Sequence, residues 1–132
     1  MRFALLDTPL DGGPAVPGID REELLGLYEY PDRPTVRANM ITSVDGAATT
    51  GGRSGGLGGP GDRRVFAALR ELADVIVVGA GTARAENYGS ADMTVDQRGR
   101  RRGRGQAEVP PVALVTRSGL LERDLPVLAG SE

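Results

Sequence analysis

The sequence predicts an α/β protein with a mostly parallel central sheet, and two observations carry this prediction. Four consecutive β-branched residues, Val75 to Val78, form an apolar run that is typical of a strand in a parallel sheet. Segments with strand and helix patterns also alternate along the chain, as they do in α/β domains. The chain has 132 residues, which suits one small domain.

Residues 1–34 are predicted to form an N-terminal arm followed by a short helix. The arm is rich in proline and turn residues and has room for one short strand at residues 2–6. Asp20 and Glu23 have the spacing of a capping box, and the leucines that follow give the segment an apolar face. The helix is therefore expected to begin at Asp20 and to end before the proline-rich stretch after Tyr30.

Residues 35–89 are predicted to form a strand–helix–strand core. The first strand covers residues 35–46, where apolar side chains fall on both faces. A loop from Thr49 to Asp62 follows, in which seven of the fourteen residues are glycine. Asp62 is expected to cap a helix whose apolar residues recur at helical spacing.

The second strand ends at Gly79, and the sequence "GTARAE" is expected to begin another helix. Gly79 and Gly81 resemble the start of a dinucleotide-binding turn, in which backbone N–H groups at a helix N-terminus meet a pyrophosphate. Arg84 occupies the position of the third glycine of that fingerprint. A tight turn between strand and helix is therefore an equally good explanation of the two glycines.

Residues 90–109 are predicted to be an arginine- and glycine-rich loop, and residues 110–132 a further strand with a truncated end. The five arginines within residues 98–104 are expected to be solvated and dispensable. The third strand is placed at Pro110–Thr116, and a further short strand at Leu125–Leu128. Since no helix follows to cover them, we expect an incomplete sheet and a chain that is inactive by itself.

The composition excludes several kinds of catalytic site. All sixteen basic residues are arginine, and the chain has no Lys, His or Cys. Zinc sites with Cys or His ligands, nucleophiles paired with histidine, Schiff-base lysines and P-loops are therefore excluded. A reaction whose chemistry is carried by a bound cofactor, such as hydride transfer, needs the fewest catalytic side chains and therefore suits this composition best.

The charge and hydropathy patterns indicate the compartment and the classes of partner. The net charge of −2 provides no overall basic field for a nucleic acid. No apolar run approaches the ~20 residues that a membrane helix needs, and the first residues do not resemble a signal peptide. We therefore expect a cytoplasmic protein without a metal, a membrane contact or a nucleic-acid partner.

Several motifs between residues 35 and 89 occur together in one known family. They are "SVDG", the serine–glycine loop, a helix containing "LR", and "DVIVVGAGT" followed by an acidic residue. In this order they resemble the reductase domain of the bacterial riboflavin-biosynthesis pyrimidine deaminase/reductases, and most closely a mycobacterial-type stand-alone member. The resemblance implies a dihydrofolate-reductase-like fold with three α/β/α layers, an NADPH cofactor, a small-molecule substrate and a homodimer.

The resemblance also implies roles for particular residues, although it assigns no catalytic residue. The implied cofactor-binding positions are Ile41, Gly79, Gly81, Thr82 and Glu86. The implied substrate-binding positions are Asn39, Ser54, Asp62 and Arg70. A guanidinium at Arg70 suits a phosphate group. Asn39 replaces a lysine that many members have, and the loop lacks their common aromatic residue, so the substrate is less fixed than the cofactor.

The implied reaction is the NADPH-dependent reduction of 5-amino-6-(5-phosphoribosylamino)uracil. Reduction of dihydrofolate on the same fold is one alternative. The alternative of another class is a non-catalytic module that binds a nucleotide, or that binds RNA through residues 98–104.

Overall fold

The computed structural model describes residues 18–54 and 56–129 of the chain. In chain order its elements are α1 (Arg21–Leu27), α2 (Pro60–Leu72), β1 (Ile76–Gly79), α3 (Ala80–Ala85), α4 (Val95–Gly103), β2 (Val112–Val115) and α5 (Pro126–Ala129). The short strand expected at residues 2–6 lies outside the described residues.

The sheet formed by the described residues consists of β1 and β2, which run parallel as predicted. The register pairs Ile76 with Val112 and Gly79 with Val115. Helix α3 contacts both strands, whereas Val77 is 64% exposed and Val115 is 60% exposed. The described residues therefore form an α/β unit with one face of its sheet uncovered, which agrees with the expectation of an incomplete sheet.

The prediction of a strand at residues 35–46 is wrong. This segment has no regular secondary structure in the described chain. A strand needs a neighbour with which its backbone N–H and C=O groups can pair, and the ladder of β1 is made with β2. Val36 and Met40 are 99% and 82% exposed. The alternation in the sequence is real, but among residues 18–54 and 56–129 no strand lies beside the segment to pair with it.

Helix α1 begins as the sequence predicts, whereas helix α2 begins differently. Asp20 accepts a hydrogen bond from the Glu23 N–H, and the Glu23 carboxylate accepts one from the Asp20 N–H. The N-cap of α2 is Gly59 rather than Asp62, with Pro60 in the first turn. Proline is favoured there because its missing N–H would have no helical partner, and Asp62 instead adds negative charge to that turn.

The predicted arginine-rich loop contains a helix, so the expectation of a solvated excursion is wrong. Thr94 and Gln97 form a capping box that begins α4. The sequence prediction overlooked this pattern because it rested on the density of arginines that follow. Arg101, in the middle of the run, is fully buried. Its Nε donates to the Ala107 carbonyl at 2.7 Å, and its Nη1 donates to the carbonyls of Glu71 and Ala73 at 2.8 and 2.7 Å.

The C-terminal segment also differs from the prediction of a short strand at Leu125–Leu128. Residues Pro126–Ala129 form the single helical turn α5. Proline suits a first helical position, since it has no N–H to leave unpaired. Val127 is buried and joins Leu125 in the core of the described chain.

A buried carboxylate explains why the arginines fold inward. Glu71, in the last turn of α2, is fully buried and forms ion pairs with Arg21 at 2.5 Å and Arg100 at 2.6 Å. Burial alone works to raise the pKa of Glu71, but the hydrogen bonds and charges of Arg100 and Arg21 outweigh it and lower that pKa to about 2. Glu71 is therefore ionised in the folded protein at neutral pH.

The pKa of Glu71 leads to a prediction about stability and pH. Because the folded value of about 2 lies below the ordinary 4.5, ionised Glu71 stabilises the fold above about pH 4.5. This contribution is lost as the pH falls from 4.5 toward 2. Glu71→Gln should cost roughly 2 kcal/mol at neutral pH, since it removes the charge-assisted hydrogen bonds that Arg21 and Arg100 donate to a buried carboxylate. It should also flatten the acid limb of a plot of unfolding free energy against pH.

The matched control is Glu108→Gln, which removes an exposed carboxylate paired with Arg102. This change should have little effect, because exposed ion pairs contribute little to stability. Urea unfolding at a series of pH values measures both variants. An acid limb that is equally steep in wild type and Glu71→Gln would contradict the role given to Glu71.

Candidate functional site

The parallel register places the carboxyl ends of β1 and β2 next to each other. Gly79 ends β1, opposite Val115 at the end of β2. In open parallel sheets, ligands bind beyond the carboxyl ends of the strands. The candidate site therefore comprises the turn from β1 into α3, the segment after α3 and the glycine-rich loop.

The turn from β1 into α3 contains three of the predicted cofactor positions. Gly79 is the N-cap of α3 with extended backbone, and no side chain caps the first N–H groups of the helix. A Cβ placed on Gly79 would come no closer than 3.8 Å to the Thr82 Oγ1, and one on Gly81 would meet no atom within 4 Å. The packing of the described chain therefore does not require glycine at either position, and Thr82 lies exposed beside them.

The glycine-rich loop is partly a tight hairpin. Thr50 and Arg53 exchange both backbone hydrogen bonds, at 2.8 and 3.2 Å. Between them Gly51 and Gly52 have φ values of 60° and 79°, which is the left-handed conformation that a type I′ turn requires at both positions. Gly58 differs from these two glycines, because its backbone lies close to a side chain. A Cβ at Gly58 would lie 2.5 Å from an oxygen of the Asp62 carboxylate.

Ser54 and Glu86, to which the family resemblance gives roles in binding substrate and cofactor respectively, are in contact. The Ser54 backbone N–H and its hydroxyl both donate to the Glu86 Oε1, at 2.7 and 3.0 Å. The hydrogen bond from the Ser54 N–H, followed by that from its hydroxyl, lowers the pKa of Glu86 below its usual value. Glu86 is therefore an ionised acceptor at neutral pH, and the loop is attached to the end of α3.

Arg70 reaches the same segment from α2. Its guanidinium lies over the rings of Phe66 and Tyr88, at 5.1 and 5.2 Å from their centres, and donates a hydrogen bond to the Tyr88 hydroxyl. The Tyr88 N–H in turn donates to the Ala83 carbonyl at 2.8 Å. The segment Glu86–Tyr88 thus connects Ser54 on one side with Arg70 on the other.

Asn87 and Tyr88 are site residues that the sequence analysis missed. Asn87 has a φ of 52°, a left-handed conformation that asparagine tolerates better than most residues. This conformation turns the chain sharply after the Glu86 C-cap. An asparagine directly after a predicted helix was the available signal, but the partner of Tyr88 lies 18 residues earlier and cannot be read from spacing.

Comparison with known proteins identifies the family of the chain. Residues 34–132 match the family described as the RibD C-terminal domain. The chain belongs to this family. A solved structure of a pyrimidine reductase-like protein from Corynebacterium diphtheriae is 37% identical, with a TM-score of 0.59, over 66% of this chain and 38% of that one. The chain thus spans well under half the length of that protein. No curated protein matches.

Three further positions of this RibD C-terminal domain are not brought together with the rest. Asn39 is exposed and Ile41 is partly exposed, both on the extended segment that has no strand partner. Asp62 lies in the first turn of α2, partly buried beside Gly58. The structure thus gathers Ser54, Glu86 and Arg70 around one segment, and leaves Asn39 and Ile41 apart from it.

Two surface grooves of the described chain lie away from the candidate site. One, of about 240 Å³, lies between α1 and α2 and is lined by residues that include Arg21 and Leu24. The other, of about 580 Å³, lies near the start of β1 and is lined by residues that include Tyr30 and Asp74. No predicted site residue lines either groove, so the position of these grooves does not identify the candidate site.

Residues 18–54 and 56–129 contain no group of three or more Asp or Glu side chains arranged to hold a metal ion. Within the same ranges, none of the helices has both the length and the apolar character needed to cross a membrane.

Proposed function

We propose that this RibD C-terminal domain belongs to an NADPH-dependent reductase that acts on 5-amino-6-(5-phosphoribosylamino)uracil. The observation that carries the proposal is the connection of Ser54 and Arg70 through the segment Glu86–Tyr88. A hydroxyl, a carboxylate and a guanidinium around one segment suit a polar substrate that carries a phosphate. The pyrimidine reductase-like relative supports the same reaction class.

The turn from Gly79 to Thr82 is the proposed place for the cofactor. Its two glycines leave space that the chain itself does not fill, and the first N–H groups of α3 have no side-chain cap. A polar ligand group can accept hydrogen bonds from those N–H groups and from the Thr82 hydroxyl. NADPH, when bound, supplies a hydride to the sugar C1 or to the imine carbon of the substrate. The residues of this chain contribute by positioning and by electrostatics.

A homodimer in the cytoplasm is part of the same proposal. The exposed face of the sheet, with Val77 and Val115 more than half exposed, supports contact with another chain. The RNA-binding alternative has less support. Arg100 pairs with Glu71, Arg102 pairs with Glu108, and Arg101 is buried. These arginines already have partners within the chain and offer little free charge to a phosphate backbone.

Thr82 tests the cofactor part of the proposal. Thr82→Val in the purified protein should weaken NADPH binding about 10-fold, the effect of losing one hydrogen bond to a polar or charged group. Quenching of nicotinamide fluorescence during a titration measures the dissociation constant. The control is Thr35→Val, which removes an exposed hydroxyl bonded only to the nearby Arg33 carbonyl. An unchanged constant in folded Thr82→Val protein would remove Thr82 from the cofactor site.

Arg70 tests the choice of substrate. The whole reductase to which this domain belongs should oxidise NADPH in the presence of the phosphorylated pyrimidine. Arg70→Ala should raise the KM for this substrate by about 10-fold or more, and that for dihydrofolate far less, because only the first has a phosphate for a guanidinium to bind. Arg63→Ala, an exposed arginine on the same helix, is the control. Equal losses on both substrates would show that Arg70 only braces Phe66 and Tyr88, and turnover of dihydrofolate alone would favour the second substrate.

A further inference from the structure

The hairpin from Thr50 to Ser54 is well defined within itself but depends on the rest of the chain for its position. Its two central glycines are in the left-handed conformation, and Thr50 and Arg53 on either side of them exchange both backbone hydrogen bonds. A hairpin of this size is only marginally stable by itself in water. Its placement beside α3 must therefore come from contacts outside the hairpin.

The contact that the structure provides is the carboxylate of Glu86. One oxygen accepts two hydrogen bonds from Ser54, a residue 32 positions earlier in the chain. Hydrogen bonds to an ionised acceptor are about twice as strong as neutral ones. The positive charge of Arg53, next to Ser54, also favours the ionised carboxylate.

The backbone that carries Glu86 is itself held. The Glu86 N–H donates to the Thr82 carbonyl at 2.9 Å, and the Asn87 N–H donates to the Arg84 carbonyl at 3.2 Å. Two residues later, Tyr88 is bonded to both Ala83 and Arg70. The carboxylate therefore projects from a fixed helix end rather than from a free loop.

We propose that Glu86 is a positioning residue, whose carboxylate fixes the hairpin Thr50–Ser54 to the end of α3. This role differs from the direct cofactor contact that the family resemblance implies for Glu86. In the proposed reductase, the attachment holds the loop beside the turn Gly79–Thr82, and this consequence rests on the proposed function. The attachment itself exists without a ligand and is measurable in the protein alone.

Amide hydrogen exchange of the protein without ligand tests the attachment. The Ser54 amide should be protected in wild type, and Glu86→Ala should raise its exchange rate about 10-fold or more, the effect of losing a charge-assisted hydrogen bond. Glu86→Gln, which keeps an acceptor oxygen, should retain part of the protection. The control is Glu122→Ala, which removes the partner of Arg84 on the same helix without touching the hairpin.

Exchange in α2 shows whether each variant is folded. The proposal is overturned if the Ser54 amide is unprotected in wild type, or if its exchange is the same in folded Glu86→Ala. It is also overturned if Glu122→Ala releases Ser54 as strongly as Glu86→Ala, since the effect would then be a general loosening of α3.

NADPH binding separates a positioning residue from a direct ligand. If Glu86 acts through Ser54, Ser54→Ala and Glu86→Ala should each weaken binding, and the double variant should lose less than the product of the two losses. Multiplicative losses would overturn the positioning role and make Glu86 a direct contact. If wild type binds no NADPH while Ser54 remains protected through Glu86, the proposed function fails and the attachment stands.

Discussion

Glu71 lies fully buried at the end of α2, where arginines from separate parts of the chain meet it. Arg21 comes from the start of α1 and Arg100 from α4, and the two together hold both oxygens of the carboxylate. Removing one partner of a buried ion pair leaves the other charge uncompensated, which is far more costly than losing a surface pair. The packing of α1, α2 and α4 against one another therefore depends on a single carboxylate.

Side chains from α4 and the segment after it also bind the carbonyl groups at the end of α2, where the chain leads toward the sheet. The last carbonyls of a helix have no partner within the helix. Arg101 and Arg104 donate to the Glu71 carbonyl, and Gln106 donates to the Leu72 carbonyl at 2.9 Å. Arg101 also binds the Ala73 carbonyl, three residues before β1 begins. Since β1 leads directly into the turn Gly79–Thr82, the charges at one end of the strand help to place the candidate site at the other.

The local parts of this fold could be predicted from the sequence. The capping box at Asp20 and the apolar run that became β1 are signals that lie within a few residues, and both were recognised. The family resemblance also named Ser54, Glu86 and Arg70 as candidate site residues, and their binding roles stay predictions, although the structure shows contacts from Ser54 and Arg70 that span 32 and 18 residues. Which of these side chains touch each other could not be predicted, because that depends on how α2 and α3 pack.

In two of the wrong predictions, partners distant in sequence decided the outcome. Charge density alone suggested a solvated loop around Arg101, yet a buried carboxylate 30 residues earlier draws its neighbours inward. The alternating pattern at residues 35–46 was typical of a strand, but strand formation also needs a neighbour. Local pattern fixes what a segment can form, and long-range pairing decides whether it does.

The dependence of the fold on Glu71 is tested most directly by a double-mutant cycle with Arg100. Unfolding free energies are measured for wild type, Glu71→Gln, Arg100→Gln and the double variant. The account predicts a coupling energy of about 1 kcal/mol or more, because the Arg100 guanidinium donates two hydrogen bonds to the buried Glu71 carboxylate. The exposed pair Arg102–Glu108 should show much weaker coupling in the same cycle. Additive losses at Glu71 and Arg100 would contradict the account.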